Sequence, residues 1–213
     1  MAYYLPNGST LEIGAPGTPI AITALTNASE AVATCSNAYV AGDVVYIASG
    51  WGKLDGRAVR VKSPTGTTFI LEGVDTTDVV AYPVAGGVGT ASKVAAFSPI
   101  NQVQTFDLSG GDQNFLDVQF LSDDVKKKIP TVKNSIELKL EIAEDVTQAW
   151  YAIGTAANSD LLPRVIRLSK KSGAKSLMAG VTTMAPISKL AINNLATVQM
   201  TCSINSLPAN YTS

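Results

Sequence analysis

The chain contains no histidine. That absence removes the side chain that most often serves as general base, proton shuttle or metal ligand near neutral pH, and with it every Ser-His-Asp or Cys-His arrangement. Cysteine is nearly as scarce. Cys35 and Cys202 are isolated thiols without CxxC spacing, too few for a disulfide framework or a zinc site, and are expected to be buried and reduced. No window reaches the roughly 18 apolar residues of a membrane span, and the start, MAYYLPNGSTLEIG, lacks the charged-then-apolar pattern of a secretory leader. A protein used without secretion and without a membrane is expected. The N-x-S/T triplets at Asn7, Asn27 and Asn210 are therefore set aside. Excess charge is missing too: 16 Lys and Arg nearly cancel 17 Asp and Glu, so no broad attraction to nucleic acid or membrane is implied.

What is present suffices for a core: 213 residues, 46% hydrophobic and 15% charged. Residues 1 to 27 read as an extended arm with a first strand near Ile20 to Leu25. Residues 28 to 94 read as a small β-rich module with strands at Asp43 to Ala48, Arg57 to Val61, Thr68 to Leu71 and Val79 to Pro83, ending in a hinge at Ala85-Gly86-Gly87-Val88-Gly89. From Ala95 on, two stretches alternate cleanly. Ile136, Leu138, Leu140 and Ile142 oppose Glu137, Lys139 and Glu141; Val198, Met200, Cys202 and Ile204 oppose Thr197, Gln199, Thr201 and Ser203. Phe115 to Leu121 reads as a strand paired with Ser135 to Ala143 across the loop SDDVKKKIPTVKN. A helix is expected over Asp145 to Asn158, weakened by Gly154, followed by strands at Arg164 to Leu168 and Leu177 to Met184.

Chemical motifs are lacking. Gly86-Gly87-Val88-Gly89 lacks GxGxxG spacing, and Asp123-Asp124 points to opposite faces and is followed at once by lysines. Lys126-Lys127-Lys128 and Lys170-Lys171 are not interleaved with base-stacking aromatics. No cofactor, metal or catalytic residue is expected. Charge placement is more informative. Between Lys93 and Lys126 there are only acids, Asp107, Asp112, Asp117, Asp123 and Asp124; after Asp160 there are only bases, Arg164, Arg167, Lys170, Lys171, Lys175 and Lys189. Such segregation suits either pairing within one subunit or head-to-tail assembly of copies.

The stretch GDVVYIASGWGKLDGRAVRV (42 to 61), TTFILEGVDTTD behind it, and the later order of strand, charged loop, strand, helix and closing strands ending in SINSLPANY resemble the major tail tube protein of long, non-contractile bacteriophage tails. The resemblance implies a mainly β fold: a β-sandwich or barrel core at 95 to 213 with one flanking helix, plus the small all-β module at 28 to 94. It also implies six copies closing into a ring, and rings stacking into a hollow tube in the virion that conducts DNA without binding it specifically. Partners would be further copies and the tape measure, tail tip and tail terminator proteins. The loop with Asp123, Asp124, Lys126, Lys127, Lys128 and Lys133 corresponds in position to a ring-stacking hairpin, with salt-sensitive contacts expected from its charges. Glu137, Lys139, Glu141, Thr197, Gln199 and Thr201 are candidates for the lumen lining, with Lys139 an awkward member, since a passing duplex favours acidic and neutral walls. Arg164, Arg167, Lys170, Lys171 and Lys175 are candidates for a basic assembly face. Trp51 is expected to pin the module onto the core, and the arm and Ser206 to Ser213 to tie subunits together. Two other readings remain open: a carbohydrate- or surface-binding β protein with Trp51, Tyr46 and Tyr82 as a stacking platform, and a tube of a contractile tail or secretion system.

Overall fold

Alternating side chains carry most of the chain into antiparallel strands, seen in a computed structural model that describes residues 8–121 and 124–212. The first part contributes β1 (Thr10–Gly14), β2 (Pro16–Ile22), β3 (Ala24–Leu25), β4 (Val32–Thr34), β5 (Val44–Ser49), β6 (Arg57–Lys62), β7 (Thr68–Leu71) and β8 (Gly89–Val94). Next come β9 (Ser98–Pro99), β10 (Val103–Gly110), β11 (Gln113–Val118), β12 (Lys127–Lys133) and β13 (Ile136–Ala143). The helix α1 (Ala149–Asp160) precedes β14 (Pro163–Ser169), β15 (Lys175–Met184), β16 (Thr197–Ile204) and β17 (Ala209–Tyr211). The fold of the described residues is mainly β with this one helix.

Two sheets and a ribbon result. Among the described residues an eight-stranded sheet runs β10-β13-β16-β15-β14-β1-β9 with β17 beside β15, a seven-stranded sheet runs β2-β8-β5-β6-β7-β4-β3, and β11 pairs with β12 as a two-stranded ribbon. The arm is thus divided: from Thr10 it is built into both sheets of its own subunit, β1 into the first and β2 into the second. The C-terminal segment also stays at home, since β17 pairs with β15; Ser213 and residues 1–7 lie outside the described residues.

The first sheet buries its apolar face around Trp150 of α1, together with Leu11, Ile13, Leu138, Leu140, Ile142, Ile166, Met178, Met200 and Ile204. Gly154 is what lets the helix lie so close. A Cβ there would stand 3.0 Å from both Met184 Sδ and Met200 Cε, so the residue that weakens the helix in isolation permits its packing. The helix begins four residues later than its sequence suggests. Asp145 accepts hydrogen bonds from Thr147 N–H (3.0 Å), Thr147 Oγ1 (2.6 Å) and Gln148 Nε2 (2.9 Å), which commits 145–148 to a turn. Asp78 acts similarly by accepting from Val80 N–H (3.0 Å) and Ala81 N–H (3.3 Å), so Val79 to Pro83 is a turn and not a strand.

A third apolar cluster joins the two sheets: Val44, Ala58 and Val94 pack against Val165, Leu177, Ala179, Ala209 and Tyr211. Tyr211 fastens this junction. Its hydroxyl accepts the Arg60 N–H (2.9 Å) and its ring lies under the Arg60 guanidinium at 4.5 Å, while Arg60 Nη2 reaches Glu72 Oε1 at 2.6 Å. The Arg60 guanidinium holds the Glu72 carboxyl below its ordinary range. A carboxylate whose folded-state value is depressed adds stability above its unfolded value and loses it as pH falls through the folded one. Glu72→Gln is therefore expected to lower stability at pH 7 and to flatten its fall below about pH 4.5, read by urea unfolding at several pH values.

Candidate assembly interface

The wet face expected from the alternation exists and extends further than expected. Antiparallel register sets Thr105 beside Glu141 and Gln199, Asp107 beside Lys139 and Thr201, and Ser109 beside Glu137 and Ser203. Period two then places all nine side chains on the face opposite Leu138, Leu140, Met200 and Cys202. Lys139 Nζ pairs with Glu137 Oε2 at 3.2 Å within its own strand and lies opposite Asp107, so its charge is met inside the subunit. Thr197 shares this face but is buried: its hydroxyl donates to Glu141 Oε1 (3.0 Å) beneath the 185–196 segment, whose Lys189 Nζ also approaches that carboxylate at 3.7 Å. Thr105, Asp107 and Ser109 were the members missed from sequence, although the stretch alternates them with Phe106 and Leu108.

Among the described residues no further strand lies beyond β10 in the sheet. Phe106 and Leu108 extend the apolar face past the helix, 41% and 52% exposed.

The charged loop contains a strand. Lys127–Lys133 pairs with β11, Asp117 opposite Lys128 and Leu116 opposite Ile129, while Ile136–Ala143 lies between β10 and β16. The expected pairing of Phe115 to Leu121 with Ser135 to Ala143 is therefore replaced. Pro130 is tolerated because a two-stranded ribbon leaves β12 with a free edge. Asp124, Lys126, Lys127, Lys128 and Lys133 are exposed; Asp123 lies outside the described residues. Phe115, Leu116, Ile129 and Val132 are exposed as well, so both faces of the ribbon carry apolar side chains besides its charges.

The five bases of the expected basic face are not brought together. Arg164 is buried and paired with Asp160 Oδ2 at 2.6 Å. Arg167, three residues along the strand and so on its other face, pairs with Glu12 Oε2 at 2.6 Å and stacks on Phe97. Lys170, Lys171 and Lys175 stand around the turn between β14 and β15.

Trp51 is buried in the module's own core, not at the junction of the sheets. Its Nε1 donates to Pro83 O (2.7 Å), its ring meets Tyr82 edge-on at 5.3 Å, and a Cβ on Gly87 would stand 2.8 Å from the indole. The glycine run at 86–87 therefore serves close packing, not a hinge. With Trp51 and Tyr82 both buried, the sugar-stacking platform loses two of its three rings.

Among the described residues no three His, Cys, Asp or Glu converge as metal ligands, and no helix is long and apolar enough to cross a membrane. Burial pushes the Cys35 and Cys202 thiols up, away from the reactive thiolate.

Among the described residues the chain is a mainly β subunit with a long sheet edge, a polar sheet face and an exposed apolar ribbon. A family model described as "Phage tail tube protein, TTP" matches residues 49–213, and the chain belongs to that family. It is a structural, non-catalytic component of the phage tail in the virion. No curated protein matches the chain.

Proposed function

We propose that copies of this chain join side by side into closed rings of six, and that the rings stack into a hollow tube through which the genome leaves the capsid. One observation carries the reading: β10 is a long edge without proline or lysine, its one irregularity confined to its start, between Val103 and Thr105. Elsewhere the edges are blunted, by Pro16 and Pro19 in β2, by Pro99 in the two-residue β9, by the shortness of β3, and by Pro130 with Lys127, Lys128 and Lys133 in β12. β10, VQTFDLSG, runs eight residues without proline or lysine. A neighbour's strand added there continues the first sheet around the ring as a closed barrel, and Phe106 and Leu108 are covered in the same step.

The polar face beside that edge then lines the lumen. Its acids Asp107, Glu137 and Glu141 outnumber Lys139, which is held by Glu137, so a duplex can slide past without phosphate-binding cations. Residues 95–213 with β1 form the wall, and the module of residues 28–94, extended by β2, stands on the outside. The β11–β12 hairpin with Asp123, Asp124 and its four lysines contacts the adjacent ring; the tape measure, tip and terminator proteins meet the lumen and the two ends.

Sedimentation and negative-stain electron microscopy of the purified protein over a range of concentrations and salt test this reading. Hollow tubes or stacked rings are expected. A strict monomer at every concentration contradicts it.

A further inference from the structure

The segment 185–196, between β15 and β16, carries Ile187, Leu190, Ile192 and Leu195, all at least 68% exposed. Its backbone is nevertheless fixed. Ala185 N–H donates to Gln199 O (2.8 Å), and Lys189 and Thr197 exchange both backbone hydrogen bonds (2.7 and 3.1 Å). The segment's far end is held too, by the Glu144 N–H on Ala196 O (2.9 Å). Four apolar side chains are thus presented on a backbone already in place, so covering them costs little further ordering.

This apolar knob has an acidic margin. Glu144 and Asp145 adjoin its end, while Glu141, in a hollow of about 420 Å³ walled by Gln104, Lys189, Ala191, Leu195 and Thr197, is already met by Lys189 Nζ at 3.7 Å.

The β11–β12 hairpin has the complementary character. It shows Leu116 and Ile129 on one face, Phe115 and Val132 on the other, with Lys128 and Lys133 in its second strand and Lys126 just before it. A two-stranded ribbon with neither face covered is marginal in water. A head-to-tail contact needs two different surfaces on one chain that fit each other. We infer that segment 185–196, with Glu144 at its end, is the seat for the β11–β12 hairpin of the copy in the next ring. The inference rests on the stacked-ring reading and names the receiving surface that the reading leaves open. Apolar cover holds the two together, and lysine against glutamate sets the register.

The test places a photo-crosslinking amino acid at Ile192, and separately at Leu190, in the full chain. The assembled tubes are irradiated and the crosslinks mapped by mass spectrometry. Crosslinks between subunits falling within residues 113–133 are expected. A second arm reverses charge: Glu144→Lys raises the concentration needed for assembly at least tenfold, and Lys133→Glu in the same chain restores it in part. Well-formed tubes whose crosslinks fall elsewhere, on the same segment of another copy or on the module, or that give none, overturn this seat and leave the tube reading standing. Failure of the unmodified protein to form rings or tubes overturns the tube reading itself.

Discussion

Replacing Trp51 with alanine is expected to destabilise the protein by about 3–5 kcal/mol, the range for removing a large buried aromatic side chain. Unfolding in urea, followed by circular dichroism, measures it. The expected cost is at the upper end of single substitutions because several terms coincide. The indole is 1% exposed, it meets Tyr82 edge-on, and its N–H donates to the Pro83 carbonyl. The backbone has been fitted around it as well: Gly87 leaves no room for a Cβ, and Ser49 Oγ, which donates to Gly87 O at 2.9 Å, holds the glycine segment against the ring. Trp51→Phe should cost less, keeping much of the packing and removing one of the two hydrogen bonds on the Pro83 carbonyl, which the Gly86 N–H still meets at 3.0 Å, a loss of about 0.5–1.5 kcal/mol. A Trp51→Ala variant of unchanged stability would mean that the residue is not the packing centre of the module.

The second large effect falls on assembly. Phe106→Lys combined with Leu108→Lys is expected to raise the concentration needed for self-association at least about a hundredfold, from forcing two ammonium groups toward an apolar contact. Fold stability should change little. Both side chains lie at the outermost strand of the first sheet and are already partly in water, and lysine on an edge strand is a common natural device against edge-to-edge pairing. Sedimentation velocity and urea unfolding on the same preparation separate the two quantities. Loss of assembly with intact stability fits the account; normal assembly of the double variant shows that copies join elsewhere.

How far this was legible in the sequence differs from strand to strand. β13 and β16 were legible because one face packs on Trp150 while the other is wet, which writes a clean alternation. The reverse situation hid β12. Uncovered on both faces, Lys127-Lys128-Ile129-Pro130-Thr131-Val132-Lys133 is under no demand to alternate, and its proline and lysines look like a loop. With β12 hidden, the nearest clean alternation to Phe115–Leu121 is Ser135–Ala143, whereas β11 pairs with β12. β10 left a usable signal, Phe106 and Leu108 against Thr105 and Asp107, but its apolar side is only partly covered and its pattern correspondingly faint. At Val79 to Pro83 and at Asp145 a short carboxylate captures backbone N–H groups, and that local chemistry outweighs the strand and helix tendencies of the residues that follow. The bases after Asp160 illustrate a different limit. Arg167 is paired with Glu12, 155 positions away, a contact no local pattern encodes.

The most direct measurement is a cryo-electron microscopy reconstruction of the assembled protein at a resolution that traces strands. The account predicts that the free edge of Val103–Gly110 is hydrogen-bonded to a strand of the neighbouring copy, with Asp107, Glu137, Lys139 and Thr201 facing a central channel. An assembly in which that edge remains open to solvent, or in which those side chains face the outside, would contradict it.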